Sequence, residues 1–205
     1  MKTTLLFRAA LLGVALNSAV GATTIEFSND RFILDLRYNT NSNFLGTNVY
    51  AEFGLSKCHL HPELAVALHT LAPKLKEMKL KIILFDCFRP IEVQRAMWRM
   101  IQDPRYVADP KKGSNHNRGL AIDVGLAFEN GRPLIFPTEF DDFTPKARHA
   151  YQCPASAKEP CTNRAILKNL MTSAGLRSIE SEWWHYEYPN AKQYPLIESL
   201  YVKTQ

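Results

Sequence analysis

The stretch GLAIDVGL, residues 119–126, alternates with a period of two. Leu120, Ile122, Val124 and Leu126 fall on one side of an extended chain, and Ala121, Asp123 and Gly125 fall on the other. The first side is uniformly apolar and belongs in a core. The second holds one carboxylate between two residues too small to cover it, which leaves room beside Asp123 for another group. This is the pattern of an internal strand that carries a functional side chain.

Upstream of this strand, residues 102–118 are rich in Pro, Gly, Asn and Asp and read as a long loop. LKIILFDCF (80–88) is an apolar, β-branched run, hence a second strand, and RPIEVQRAMWRMI (89–101) starts a helix just after a proline. RFILDLRY (31–38) sets Phe32, Leu34 and Leu36 against polar neighbours, as a half-buried strand does, and NTNSNFLGTN follows as a polar loop. Pro62 suits the first position of a helix whose stripe is Leu64, Leu68, Leu71 and Leu75, and Pro73 breaks or kinks it. Downstream, PKARHAYQ (145–152) reads as a short helix. NRAILKNLMTSAG (163–175) is an amphipathic helix ending at Gly175, and EWWHYEY (182–188) is a final strand dense in aromatics. There are no repeats or low-complexity linkers, and helices and strands mix without a strict βαβ order. The expected class is therefore α+β: a single domain with a central, mostly antiparallel sheet carrying the site, flanked by helices.

The first residues read as an address. Lys2 and Arg8 bracket a short basic region, AALLGVAL (9–16) is apolar, and Val20 and Ala22 suit the −3 and −1 positions of a signal-peptidase cut. A buried N-terminal helix is the plainer alternative. The apolar run is too short to span a bilayer, which takes ~20 residues. The expected organisation is a signal peptide over residues 1–22 and one domain over 23–205, exported to a periplasm or secreted, with no stable membrane span in the mature chain. The formal net charge of the full chain is +5. It is mild and not gathered into runs, which argues against nucleic acid as the main partner. The four cysteines, Cys58, Cys87, Cys153 and Cys161, form no CxxC pair, and an even count behind an export signal favours disulfides. Cys153 and Cys161 flank the short loop PASAKEP and are natural partners. That leaves Cys58 with Cys87.

A catalytic zinc needs three protein ligands and one open position. His116, Asp123 and His185 offer N, O and N donors. Glu182, three residues before His185, offers a base that is not itself a ligand. In an ideal strand residues three apart face opposite ways, so the chain must bend near Glu182 and Trp183, or Glu182 must precede the strand. Trp183 and Trp184 would shield such a site from water. The spacing alone leaves plainer readings open: a loop histidine, a turn-capping aspartate and a surface aromatic patch. CHLHP (58–62) is a rival cluster, with Cys58, His59 and His61 as donors.

The blocks DLRYNTNSNFLG, FDCFRP, GSNHNRGLAIDVGL, FDDF and EWWHYEY occur here in the order found in the D-alanyl-D-alanine dipeptidases. Over roughly residues 30–190 the chain resembles that family, of the vancomycin-resistance type, within a wider group of zinc D,D-peptidases. The resemblance implies one zinc per chain on His116, Asp123 and His185, with Glu182 as general base and proton shuttle. It implies Arg89 as the group that stabilises the tetrahedral oxyanion, against a structural salt bridge as the alternative. It also places Tyr38, Ser114 and Asp141 in the substrate pocket, and it implies D-Ala-D-Ala or another small peptide as substrate. Neighbouring readings are a D,D- or L,D-carboxypeptidase trimming longer stem peptides, and a non-catalytic zinc-containing binding module. Cys87 and Phe88 depart from the family pattern, as does IFPTEFDD (135–142) at the pocket edge, and so do the export signal and the cysteines. Oligomeric state is not legible.

Overall fold

The computed structural model describes residues 24–197. The leader expected over residues 1–22 lies outside them. The main sheet has five strands in the order β2-β4-β5-β7-β6: β2 is Phe32–Leu34, β4 Leu80–Asp86, β5 Ala121–Phe128, β6 Arg177–Ser178 and β7 His185–Glu187. Only β2 runs parallel to its neighbour; the other pairings are antiparallel. The α+β class with a mostly antiparallel sheet is thus the one the sequence indicates. A second, two-stranded sheet pairs β1 (Ile25–Glu26) with β3 (His59–Leu60). Strands this short have no readable period, and neither β1, β3 nor β6 is expected from the sequence.

β4 and β5 form the centre. The expected apolar face of β5 is fully buried at Ile122, Val124 and Leu126, and so is Ala121 on the opposite face. The room anticipated on that second face is only partly there. At Gly125 it is taken by the ring of Phe85, whose Cζ would lie 2.8 Å from an added Cβ. Any larger residue would have to push this ring out of the core.

The leucine stripe packs as the periodicity requires, with Leu64, Leu68, Leu71 and Leu75 at most 2% exposed. It is carried by two helices, α1 (Pro62–His69) and α2 (Ala72–Glu77), and the break falls just before Pro73, which sits in the first turn of α2. α2 packs on β4, and α4 (Glu159–Ser173) packs on β5. α3 (Ile91–Met100) begins directly after Pro90. α4 starts four residues earlier than its apolar pattern suggests, and Gly175 follows it with φ 81°.

Three expectations need correction. The strand read over 31–38 covers only Phe32–Leu34; the chain then turns into a 3₁₀ helix at Arg37–Asn39, so Leu36 is buried while Leu34 is 47% exposed. PKARHAYQ forms a single 3₁₀ turn at Pro145–Ala147. EWWHYEY is extended in the sheet only at His185–Glu187, so Glu182 precedes the strand. Both disulfides form, Cys58–Cys87 and Cys153–Cys161. Cys58 is therefore withdrawn from the rival CHLHP cluster. No helix among the described residues is long and apolar enough to cross a membrane.

Candidate metal centre and active-site cleft

Sheet register assembles the site. On β5, Asp123 is the direct cross-strand partner of His185 on β7 and of Asp86 at the end of β4, where the pairing shifts at an irregularity after Leu84. His116 comes from the 3₁₀ turn His116–Arg118 that leads into β5. That turn closes at Gly119, φ 65°, where an added Cβ would lie 2.8 Å from the backbone nitrogen of His61. The left-handed conformation and this close approach both demand glycine.

The three donors converge. His185 Nδ1 lies 3.0 Å from Asp123 Oδ1, His116 Nε2 lies 3.3 Å from the same oxygen, and the two nitrogens are 3.2 Å apart. Zinc bonds of ~2.0–2.1 Å at tetrahedral angles set donors ~3.3–3.4 Å apart, so the triangle has the size the ion requires. His116 Nδ1 lies 2.8 Å from the carbonyl oxygen of Cys87, which can only accept. Nδ1 therefore carries the proton, and Nε2 turns its lone pair to the centre. His185 Nε2 faces the Glu187 carboxylate at 3.7 Å, which itself accepts from Asn115 Nδ2 at 2.6 Å.

Charge fits a cation as well. Asp86, Asp123 and Glu182 are each at most 5% exposed, and Arg89 is the only guanidinium bonded to any of them among the described residues. Burial pushes the Glu182 carboxyl up to about 8, helped by the charges of Asp123 and Asp141. Burial opposes charge on His185 too, but its hydrogen bond to Asp123 and the nearby Glu187 carboxylate outweigh this and raise it to about 10. Asp123 is held far below the usual carboxylate range: burial opposes this, and the two histidines overcome it. His116, Asp123 and His185 are the one group among the described residues arranged to hold such an ion.

Around this centre opens a cleft of about 430 Å³. It brings together every site residue singled out from the sequence: Tyr38, Arg89, Ser114, Asp141 and Glu182 line it with the three donors. Glu182 Oε1 is buried with no hydrogen-bond partner among the described residues. Arg89 donates from Nε and Nη2 to Asp86 Oδ2 at 2.9 and 2.6 Å and from Nη1 to Gln94 at 2.9 Å. This spends three of its five N–H bonds and leaves two uncommitted, with Nη2 also 3.7 Å from Asp123 Oδ2. The salt-bridge and functional readings of Arg89 are therefore compatible. Tyr38 OH donates to Asp141 Oδ1 at 3.0 Å, and the Tyr38 ring packs against the Arg89 guanidinium at 5.3 Å. Asp141 has φ 64°, a left-handed conformation that Asp tolerates, and burial raises its carboxyl to about 7. Asp142 is turned away and accepts from the Thr144 amide at 3.0 Å. Ser114 Oγ accepts from the His116 amide at 3.2 Å.

The paired tryptophans divide their roles. Trp184 lines the cleft, whereas Trp183 stacks on Phe136 at 3.9 Å on the other side of the chain. Only Trp184 is placed to shield the centre. Sequence reasoning missed Asp86, Tyr50, Gln94 and Glu187. A fully buried carboxylate inside the apolar run of 80–88 was the available signal for Asp86, since such a group needs a partner.

A family model described as D-ala-D-ala dipeptidase matches residues 28–203. The chain is 35% identical over 164 residues to the D-alanyl-D-alanine dipeptidase of Escherichia coli, covering 80% of this chain and 82% of that protein. A shorter match, 32% identical over 75 residues and 36% of each chain, is to the D-alanyl-D-alanine dipeptidase of Enterococcus faecalis. Among solved structures, the LdcB LD-carboxypeptidase aligns over 66% of this chain and 62% of its own, with TM-score 0.41 and 19% identity. A likeness that distant carries no argument.

Proposed function

Because the chain belongs to the D-ala-D-ala dipeptidase family of metallopeptidases, we propose that it is an exported zinc enzyme that hydrolyses D-alanyl-D-alanine or a closely related dipeptide. His116, Asp123 and His185 would hold the zinc. When bound, the ion supplies a Lewis acid that polarises the scissile carbonyl and lowers the pKa of water. The observation that carries the reading is the buried Glu182 carboxylate, one oxygen of which has no partner among the described residues although it lines the same cleft as the three donors.

In this reading Glu182 accepts a proton from the attacking water and returns it to the leaving amine. A cation held by the three donors would favour the charged form of Glu182, the one able to accept a proton. Arg89 aims its two spare N–H bonds at the developing oxyanion. Asp86 and Gln94 fix its plane beforehand, so little reorganisation accompanies the reaction. Asp141, oriented by Tyr38, receives the substrate ammonium. Trp184 excludes water, which strengthens all of these interactions.

Export is part of the proposal. The leader-like residues 1–22 and two disulfides in one short chain support it, since disulfides persist in oxidising compartments. The test is D-alanine release by purified, zinc-loaded protein from free D-Ala-D-Ala and from a pentapeptide stem ending in the same bond. A clear preference for the dipeptide is expected. Preference for the stem would replace the dipeptidase reading with a carboxypeptidase one.

A further inference from the structure

The Cys58–Cys87 disulfide joins two segments that meet at the metal centre. Residues 58–61 act as a strap. The bond ties Cys58 to Cys87 with their Cα atoms 5.4 Å apart. The Phe88 amide donates to the His59 carbonyl at 2.9 Å, and the His61 amide donates to the Gly119 carbonyl at 2.8 Å. One strap thus holds both the segment carrying Arg89 and the turn carrying His116. Those two segments also grip each other: the Arg89 amide donates to the His116 carbonyl at 3.2 Å, and Asn117 Nδ2 donates to the Arg89 carbonyl at 2.7 Å.

Cys87 is fixed at three points. Its side chain is in the disulfide, its amide donates to Asp86 Oδ1 at 2.9 Å, and its carbonyl accepts the His116 Nδ1 proton at 2.8 Å. Cys58, Cys87 and His116 are each at most 2% exposed. No solvent stands ready to take over the carbonyl's role if Cys87 shifts. Two thiols need more separation than the ~2.05 Å of a bonded pair, so reduction pushes the Cys58 and Cys87 sulfurs apart at a buried contact between the strap and residues 86–89. The share of that movement taken up by the Cys87 backbone displaces the acceptor that sets the His116 tautomer.

We propose that the Cys58–Cys87 disulfide is energetically coupled to the metal centre, so that closing the bond raises metal affinity and the protein becomes a competent metalloenzyme only where thiols are oxidised. The inference rests on the zinc reading above. Closing the bond removes one proton and one electron from each thiol. The two electrons pass to a disulfide oxidant, which takes up two protons and becomes two thiols. Coupling is reciprocal: whatever factor the bond adds to metal affinity, the metal adds to the bond's resistance to reduction. Cys153–Cys161 serves as an internal control, because it closes its own short loop and its one hydrogen bond, from the Cys153 amide to Cys161 Sγ at 3.1 Å, stays within that loop.

The test equilibrates the wild-type protein in graded glutathione buffers, with free zinc held either at saturation or near zero. Each cysteine pair is then read by thiol alkylation and mass spectrometry. Saturating zinc should make Cys58–Cys87 ~10–100-fold harder to reduce, the range by which loss of outer-shell support lowers metal affinity. Tenfold corresponds to ~30 mV for this two-electron couple. Cys153–Cys161 should not move. A parallel measurement of zinc affinity should find the Cys58→Ala/Cys87→Ala variant ~10–100-fold weaker and the Cys153→Ala/Cys161→Ala variant within twofold of wild type. Wild-type protein that binds zinc but shows a zinc-independent Cys58–Cys87 potential overturns the coupling and leaves the metal reading standing. Protein that binds no zinc overturns both.

Discussion

Asp123 and His185 are direct cross-strand partners, with Oδ1 and Nδ1 3.0 Å apart. The pair lies on central, buried strands, so its geometry is set by backbone register rather than by flexible loops. His185→Ala or Asp123→Ala should therefore leave the sheet intact and remove the ion. Zinc affinity should fall by more than the ~10–100-fold typical of outer-shell losses, and activity should go with it. Elemental analysis should find about one zinc per wild-type chain and essentially none in either variant.

Glu182 faces the cleft without touching the donor triangle by any hydrogen bond. Glu182→Gln should keep its zinc while kcat falls ~10²–10⁴-fold or more. Zinc content and turnover measured on the same sample separate the roles: loss of zinc in this variant would make Glu182 a ligand instead of the base.

Asp86 is fully buried and accepts from Arg89, from the Cys87 amide and from Tyr50 OH. Asp86→Asn leaves the Arg89 charge with only the more distant Asp123 carboxylate at 3.7 Å, and breaking a buried pair costs ~3–5 kcal/mol. Tyr50→Phe removes one hydrogen bond and should cost ~1 kcal/mol, with more if the freed carboxylate oxygen stays dry. Denaturant melts of both variants check the ranking, and Asp86→Asn should also lose turnover because Arg89 is no longer held in plane.

Metal-free protein should lose stability as pH rises. Glu182 and Asp141 titrate at about 8 and about 7 in the fold, above their ordinary carboxylate values. The folded state thus binds more protons than the unfolded chain, and stability falls between about pH 4 and 8 as both states give them up. His185, raised to about 10, adds stability that is full below about 6.5 and is lost as pH climbs through 10. Thermal melts of chelated protein across pH 5–9 should show this decline, and Glu182→Gln should flatten it. Saturating zinc should flatten it as well, because the cation replaces the missing positive charge.

Much of the site was legible because its residues sit in stretches with a clear local pattern. The alternation of 119–126 exposes Asp123 as the one charged residue among buried neighbours, and short loop length pairs Cys153 with Cys161. Asp86 left only a weak signal, a carboxylate inside an apolar run, and its pairing with Arg89 three residues on lies past the register shift that ends β4, where strand periodicity stops being a guide. The separate fates of Trp183 and Trp184 depend on a bend before His185 that no period encodes. Leu34 misled because β2 is a short edge strand whose outer face meets solvent.

The central claim is that this cleft recognises a free dipeptide, with Asp141 meeting its ammonium. The most direct measurement is kcat/KM of wild type and Asp141→Asn on D-Ala-D-Ala and on its N-acetylated form. A well-placed charge pair in a dry site is worth ~2–5 kcal/mol when one partner is removed. Acetylation should therefore cost the wild type at least ~30-fold, Asp141→Asn should cost a similar factor on the free dipeptide with zinc retained, and the two losses together should be far less than additive. Equal cleavage of free and acetylated substrate by the wild type would contradict the account.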